Sequence, residues 1–168
     1  MIKRLRVPLA AAVVGAAAVL IPVGTGAAAA AGCDASVAAL ENVCTASQFD
    51  LLFAYSHDVT IPVDAVYNGM VRPLSGPNPV ATAAAGALWQ GKHFYRGWLN
   101  NRLDGLEALP ADVFVAPSAI DGRPVLRVDY RRAGIPAGHD ELRRLPNGVY
   151  VGYGFLNNAP GLQFWIWR

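Results

Sequence analysis

The segment that most restricts the fold is the last stretch of the chain, V-Y-V-G-Y-G-F-L over Val149 to Leu156 and L-Q-F-W-I-W over Leu162 to Trp167. With Asn157 to Gly161 as the loop and Leu156 opposite Leu162, an antiparallel hairpin sets Gly154 against Phe164 and Gly152 against Ile166. Large side chains then cover the glycines. The other face holds Val151, Tyr153, Phe155, Trp165 and Trp167. Both faces are apolar, which a sheet with one side in water does not tolerate. One face must line an interior, and the other must be covered.

A second hairpin is signalled by Asp121 and Gly122 between alternating runs in Val113 to Tyr130. A two-residue turn there places Val115 opposite Val128, Val113 opposite Tyr130 and Pro117 opposite Leu126, giving one apolar face. Phe114, Ala116, Ser118, Arg127 and Asp129 occupy the other. Trp89 to Leu103 reads as a further strand pair or a bent strand with breaks at Gly91 and Gly97. Gly69 to Ala85, with Pro73, Gly76, Pro77 and Pro79, reads as a long irregular connection.

Upstream the pattern is helical. Val37, Leu40, Val43 and Cys44 recur at intervals of three and four, and Phe49, Leu52 and Phe53 continue the spacing. Asp34 or Ser36 can cap the first turn, and Thr45 or Ser47 can begin a second helix. These helices are the available cover for the C-terminal hairpin. The expected fold is mainly β (α+β): a small antiparallel barrel or half-barrel of about five to seven strands with N-terminal helices. The division is residues 1–31 as a signal peptide, 32–59 as a helical segment and 60–168 as the β domain.

Hydrophobic residues make up 54 % of the chain, but much of that excess lies before residue 32. Met1 to Arg6 is cationic, Val7 to Val23 is apolar between Pro8 and Pro22, and Gly24 to Gly32 is small. This is the three-part pattern of an export signal, and the apolar run is short of a membrane span. Removing Lys3, Arg4 and Arg6 with the signal leaves eleven basic residues against twelve acidic ones. That balance provides no basic footprint for nucleic acid. The expected location is secreted or in the cell envelope, with no transmembrane segment after cleavage.

Two uses of Cys33 stand. A disulfide to Cys44 suits an oxidising compartment and requires the segment to turn back on itself, since a straight helix would separate the two Cα atoms by roughly 16 Å. Alternatively, the small residues before Cys33 resemble a lipobox, which would anchor the protein to a membrane through Cys33 and leave Cys44 unpaired.

The residues name no reaction. There is no G-x-S-x-G, and Ser56, His57 and Asp58 are consecutive, so their side chains cannot converge as a triad. His57, His93 and His139 lack metal-ligand spacing, the cysteines lack C-x-x-C, and no cofactor or metal is expected. Polar and charged residues within apolar strand patterns are the places to search for a site, namely Lys92, Asn101, Arg102 and Arg143 with Asp129, Asp140 and Glu141.

The strings W-Q-G-K-H-F (Trp89 to Phe94), N-R-L (Asn101 to Leu103), D-G-R-P (Asp121 to Pro124), V-D-Y (Val128 to Tyr130), D-E-L-R (Asp140 to Arg143) and P-N-G-V-Y-V-G (Pro146 to Gly152) resemble a group of small bacterial β-rich proteins with no assigned activity. The resemblance implies a compact β fold and no particular chemistry. The layout is also similar to calycin barrels, without the G-x-W of a lipocalin.

Three functions follow as expectations. The first is a non-enzymatic domain binding a small apolar or amphipathic molecule, with Lys92, Arg102, Tyr153, Trp165 and Arg143 as ligand-binding residues. The second is a hydrolase or isomerase with Asp140 or Glu141 as acid and base and Arg143 or Arg102 as anion binder. The third is a wall-associated domain with a flat aromatic patch and no cavity.

Overall fold

A computed structural model describes residues 32–168, and the export-signal reading of residues 1–31 lies outside them. Eight strands, β1 (Ala65–Arg72), β2 (Trp89–Phe94), β3 (Trp98–Leu103), β4 (Leu106–Pro117), β5 (Pro124–Asp129), β6 (Gly138–Arg144), β7 (Tyr150–Leu156) and β8 (Ala159–Trp167), each pair antiparallel with the next. β8 returns to β1 and closes the barrel. Closure leaves no unpaired sheet edge. The barrel is thus complete and has more strands than the pattern predicts.

The C-terminal hairpin has both apolar faces covered, as its sequence requires. Gly152, Gly154, Leu162, Phe164 and Ile166 lie on the inner side, while Val151, Tyr153, Phe155 and Trp165 pack beneath the helices. The register differs from the expected one by two residues: Gly154 pairs with Leu162 and Gly152 with Phe164. The reason is a tight turn at Asn157 and Asn158, both left-handed at φ 52° and 60°, a conformation asparagine tolerates. Because strand side chains alternate with period two, the shift keeps every residue on its predicted face. A β-carbon at Gly152 would meet Phe164 at 3.0 Å and one at Gly154 would meet Leu162 at 2.9 Å, so large residues do cover the glycines.

The β4–β5 hairpin is displaced in the same way, with Val113 opposite Val128 and Pro117 opposite Pro124. Its loop is longer than a two-residue turn because tertiary partners hold it. Glu141 accepts from the Ser118 hydroxyl at 2.6 Å and from Ala119 N at 2.8 Å, and Arg143 grips Asp121. Local turn preference yields to these charge-assisted bonds.

The helical segment forms α1 (Val37–Asn42), capped by Ser36, and α2 (Ala46–Tyr55), capped by Thr45 with Gln48 completing a capping box. Cys33 and Cys44 are bridged across the α1 turn, with Cα atoms 4.8 Å apart. The sulfur of Cys33 is therefore engaged, and the lipid-anchor alternative is corrected.

The long connection expected over Gly69 to Ala85 is not irregular. Its first residues complete β1, and Pro79–Leu88 forms a third helix, α3, capped by Asn78 with proline in its first turn. The string V-A-T-A-A-A-G-A-L carries helix propensity without apolar periodicity, so a search for amphipathic spacing passes over it. Among the described residues no helix is long and apolar enough to cross a membrane.

Candidate functional site: a cavity inside the barrel mouth

The barrel interior is divided along its axis. At the end where β2, β4 and β6 finish, Tyr67, Phe94, Leu99, Val113, Leu126, Leu142, Tyr150 and Ile166 fill the space. Tyr67 meets Phe94 and Tyr150 edge-on at 5.6 Å. At the other end the inner side chains leave a cavity of about 340 Å3. Val71, Leu109, Leu162, Phe164 and Trp89 provide apolar walls, and Ala85 and Leu88 of α3 lie across the mouth.

Trp89 reaches the cavity because the β2–β3 register shifts between Trp89 and Gly91. Gly91 sits at φ 123°, where a side chain would be strained and would strike the Tyr67 carbonyl. Across the strand, the Trp89 ring lies over Gly69, whose lack of a β-carbon makes the space for it.

Four polar residues meet on the cavity wall. Lys92 on β2 is 1 % exposed. Its Nζ donates to Asp140 Oδ2 at 2.7 Å, Tyr130 Oη at 2.8 Å and Asn101 Oδ1 at 3.0 Å, which uses all three ammonium protons. Tyr130 donates to Asp140 Oδ2 at 2.6 Å. Asn101 Nδ2 donates to the Leu109 carbonyl at 3.1 Å, and Trp89 Nε1 donates to Asn101 Oδ1 at 2.9 Å. The rings of Trp89, Tyr130 and Phe164 surround the ammonium at 5.4 to 5.5 Å.

Burial lowers the Lys92 pKa, with the Asp140 charge opposing the shift. Burial also raises the Tyr130 hydroxyl well above its ordinary value, and Asp140 reinforces that effect. The cluster pairs one cation with one anion and presents no unmatched charge to the cavity.

Of the residues expected to bind ligand, Lys92 lines this cavity and the other four lie on the outer surface of the barrel. Trp165 is fully buried there, near the Arg72 guanidinium. Tyr153 donates to Asp50 at 2.5 Å and packs edge-on against Phe49 and Phe53. Arg143 is fully buried beneath α2, donating to the Phe53 carbonyl at 3.0 Å and to both Asp121 oxygens at 2.7 and 2.8 Å. Arg102 faces outward and donates to Asn68 at 3.2 Å. The hairpin's two apolar faces were correctly separated by alternation, but alternation does not say which of them is the inside.

The carboxylate and arginine cleft of the enzyme reading is not assembled. Asp140 points inward, whereas its neighbour Glu141 and Arg143, at odd positions of the same strand, point outward with Arg102 on another part of the outer wall. Asn101 stands in the sequence only as one of several polar strand residues with no role of its own, and Tyr130 is not selected at all. Their signal was present: Asn101 shares a strand face with Leu99 and Leu103, and Tyr130 continues the face of Leu126 and Val128.

No family model matches the chain, and no curated protein matches it. Among solved structures, a protein from Thermomonospora curvata is similar, with a TM-score of 0.50 and 19 % identity over 79 % of this chain and 92 % of that one. A likeness at that identity concerns the fold alone.

Proposed function

We propose that this chain is an exported barrel that binds one small, uncharged, predominantly apolar molecule in the mouth cavity. The observation that carries the reading is the 340 Å3 cavity with apolar walls and a self-paired polar cluster. That volume is at the small end of the roughly 300–1,000 Å3 range of small-molecule sites. Because Asp140 already neutralises Lys92 and each Lys92 proton has an acceptor, a carboxylate ligand would enter without a counter-charge, at a desolvation cost nothing repays. A neutral hydroxyl or carbonyl carries no such cost. Export is supported by the signal pattern and by the Cys33–Cys44 bridge.

The test is native mass spectrometry of the exported protein, followed by solvent extraction of any bound molecule and titration of the emptied protein with decan-1-ol and with decanoate. One-to-one binding of the alcohol, at least about tenfold tighter than the carboxylate, is expected from a difference of about 1.4 kcal/mol or more. An empty protein whose tryptophan fluorescence responds to neither compound would overturn the reading.

A further inference from the structure

Ten of the eleven basic side chains after residue 31 are arginines, and Lys92 is the exception. Among the described residues the one side-chain primary amine lies on the cavity wall, buried among three aromatic rings. An arginine could also pair with Asp140, but a guanidinium stays protonated and forms no imine, whereas a buried lysine can give up its proton. We propose that Lys92 forms an imine with the ligand, and that the ligand class is small apolar aldehydes and ketones. This inference rests on the cavity reading and assigns chemistry to the same site.

The proton inventory closes within the cluster. Asp140 Oδ2, 2.7 Å from Nζ, takes one ammonium proton and frees the nitrogen lone pair. The amine adds to the carbonyl carbon, forming the C–N bond, and a second nitrogen proton moves to the carbonyl oxygen to give a carbinolamine. Its hydroxyl leaves with the proton returned from Asp140, as water, while the C–N bond becomes an iminium. Ammonium and carbonyl are thus converted to iminium and water with no change of oxidation state, and Asp140 regains its charge as the counter-ion. Tyr130 and Asn101 keep Asp140 and Lys92 in place through bonds of 2.6 and 3.0 Å. Burial favours the uncharged amine, and the apolar walls limit the water that would hydrolyse the imine.

The experiment uses the purified chain with decanal and cyanoborohydride at neutral pH, read by intact mass and peptide mapping. Expected is one reduced decyl adduct on the peptide holding Lys92, with decan-1-ol at ten times its dissociation constant lowering the adduct about tenfold by competition. Lys92→Arg, which retains a cation for Asp140, should lose the adduct; if that variant does not fold, the competition arm on the native protein decides. Displacement of decan-1-ol by decanal without an adduct at Lys92, or labelling only at the chain N-terminus, overturns the imine and leaves the cavity reading intact. No binding of either compound overturns the cavity reading itself.

Discussion

Two kinds of buried cation sit on opposite sides of one barrel wall. Inside, Lys92 bonds only to side chains, all of them lining the cavity. Outside, Arg72 and Arg143 bond chiefly to backbone carbonyls of the helical hairpin and its neighbouring loops. Arg72 donates to Leu40 O at 2.6 Å and Cys44 O at 2.7 Å, near the end of α1, and its guanidinium lies 4.9 Å from the Phe49 ring. Arg143 serves Phe53 O near the end of α2 and lies 4.4 Å from the Phe53 ring. Leu40 and Phe53 lie in the last turns of α1 and α2, at the negative ends of the helix dipoles, and Cys44 follows α1. The outer arginines fasten the helices to the barrel, whereas the inner lysine fastens nothing beyond its own cluster.

The largest expected effect sharpens that contrast. Arg143→Ala should cost about 3–5 kcal/mol in chemical denaturation, because it removes a fully buried guanidinium that joins Asp121 to the Phe53 carbonyl and leaves Asp121 with Arg123 alone. Replacing the inner pair together, Lys92→Met with Asp140→Asn, should change stability by no more than about 1–2 kcal/mol, since no unmatched charge remains. Equal losses from the two replacements would break the comparison.

The next effect belongs to the disulfide. Cys33→Ser with Cys44→Ser should cost about 2–3 kcal/mol, the chain-entropy value for a loop closed at a separation of 11 residues. The loss should appear as earlier melting of α1 and α2, followed by exposure of Trp165, with the cavity cluster less affected.

How much of this was legible follows the physics of each signal. Strand alternation correctly separated the faces of both hairpins, since a two-residue slip does not move a side chain across the sheet. The helix caps at Ser36 and Thr45 and the Cys33–Cys44 bridge were also readable, being local. A barrel or half-barrel was legible, but the choice between them was not, because β1–β8 pairing joins distant segments and leaves no nearby mark in sequence. The choice of inside was lost for the same reason: Tyr153 and Trp165 look as suited to a cavity as Phe164 until the helices are placed over them. Lys92 was singled out because a charge interrupts an apolar pattern there, yet Arg143 carries the same signal and lies on the other side.

A smaller effect comes from acid. Hydrogen bonds from Asn100, His93 and Tyr95 hold the Glu107 carboxyl at about 2, below its ordinary 4.5. Arg143 chiefly holds Asp121 well below its ordinary range as well. A carboxyl depressed by folding contributes stability that is fully present above its unfolded pKa and lost as pH falls through the folded value. These two carboxyls should therefore contribute a decline in the denaturation midpoint from about pH 4.5 downward, with Glu107→Gln removing part of that decline. A midpoint that rises over this interval would contradict the outer network.

The smallest concerns α3, where Thr82 is the one fully buried side chain and its hydroxyl has no partner. Thr82→Val should stabilise by up to about 1 kcal/mol, by removing a buried group that makes no hydrogen bond. A loss of similar size would show that the hydroxyl is engaged.

The most direct test of the account is to fill the cavity without touching its polar cluster. Val71 lines the space from β1, so Val71→Trp should occupy it while leaving Lys92, Tyr130 and Asp140 in place. Calorimetric titration with decan-1-ol should give saturable one-to-one binding to the native chain, and none to a Val71→Trp variant that melts within a few degrees of it. Undiminished binding to the folded variant would mean that the ligand site lies elsewhere and that the barrel mouth is not the seat of function.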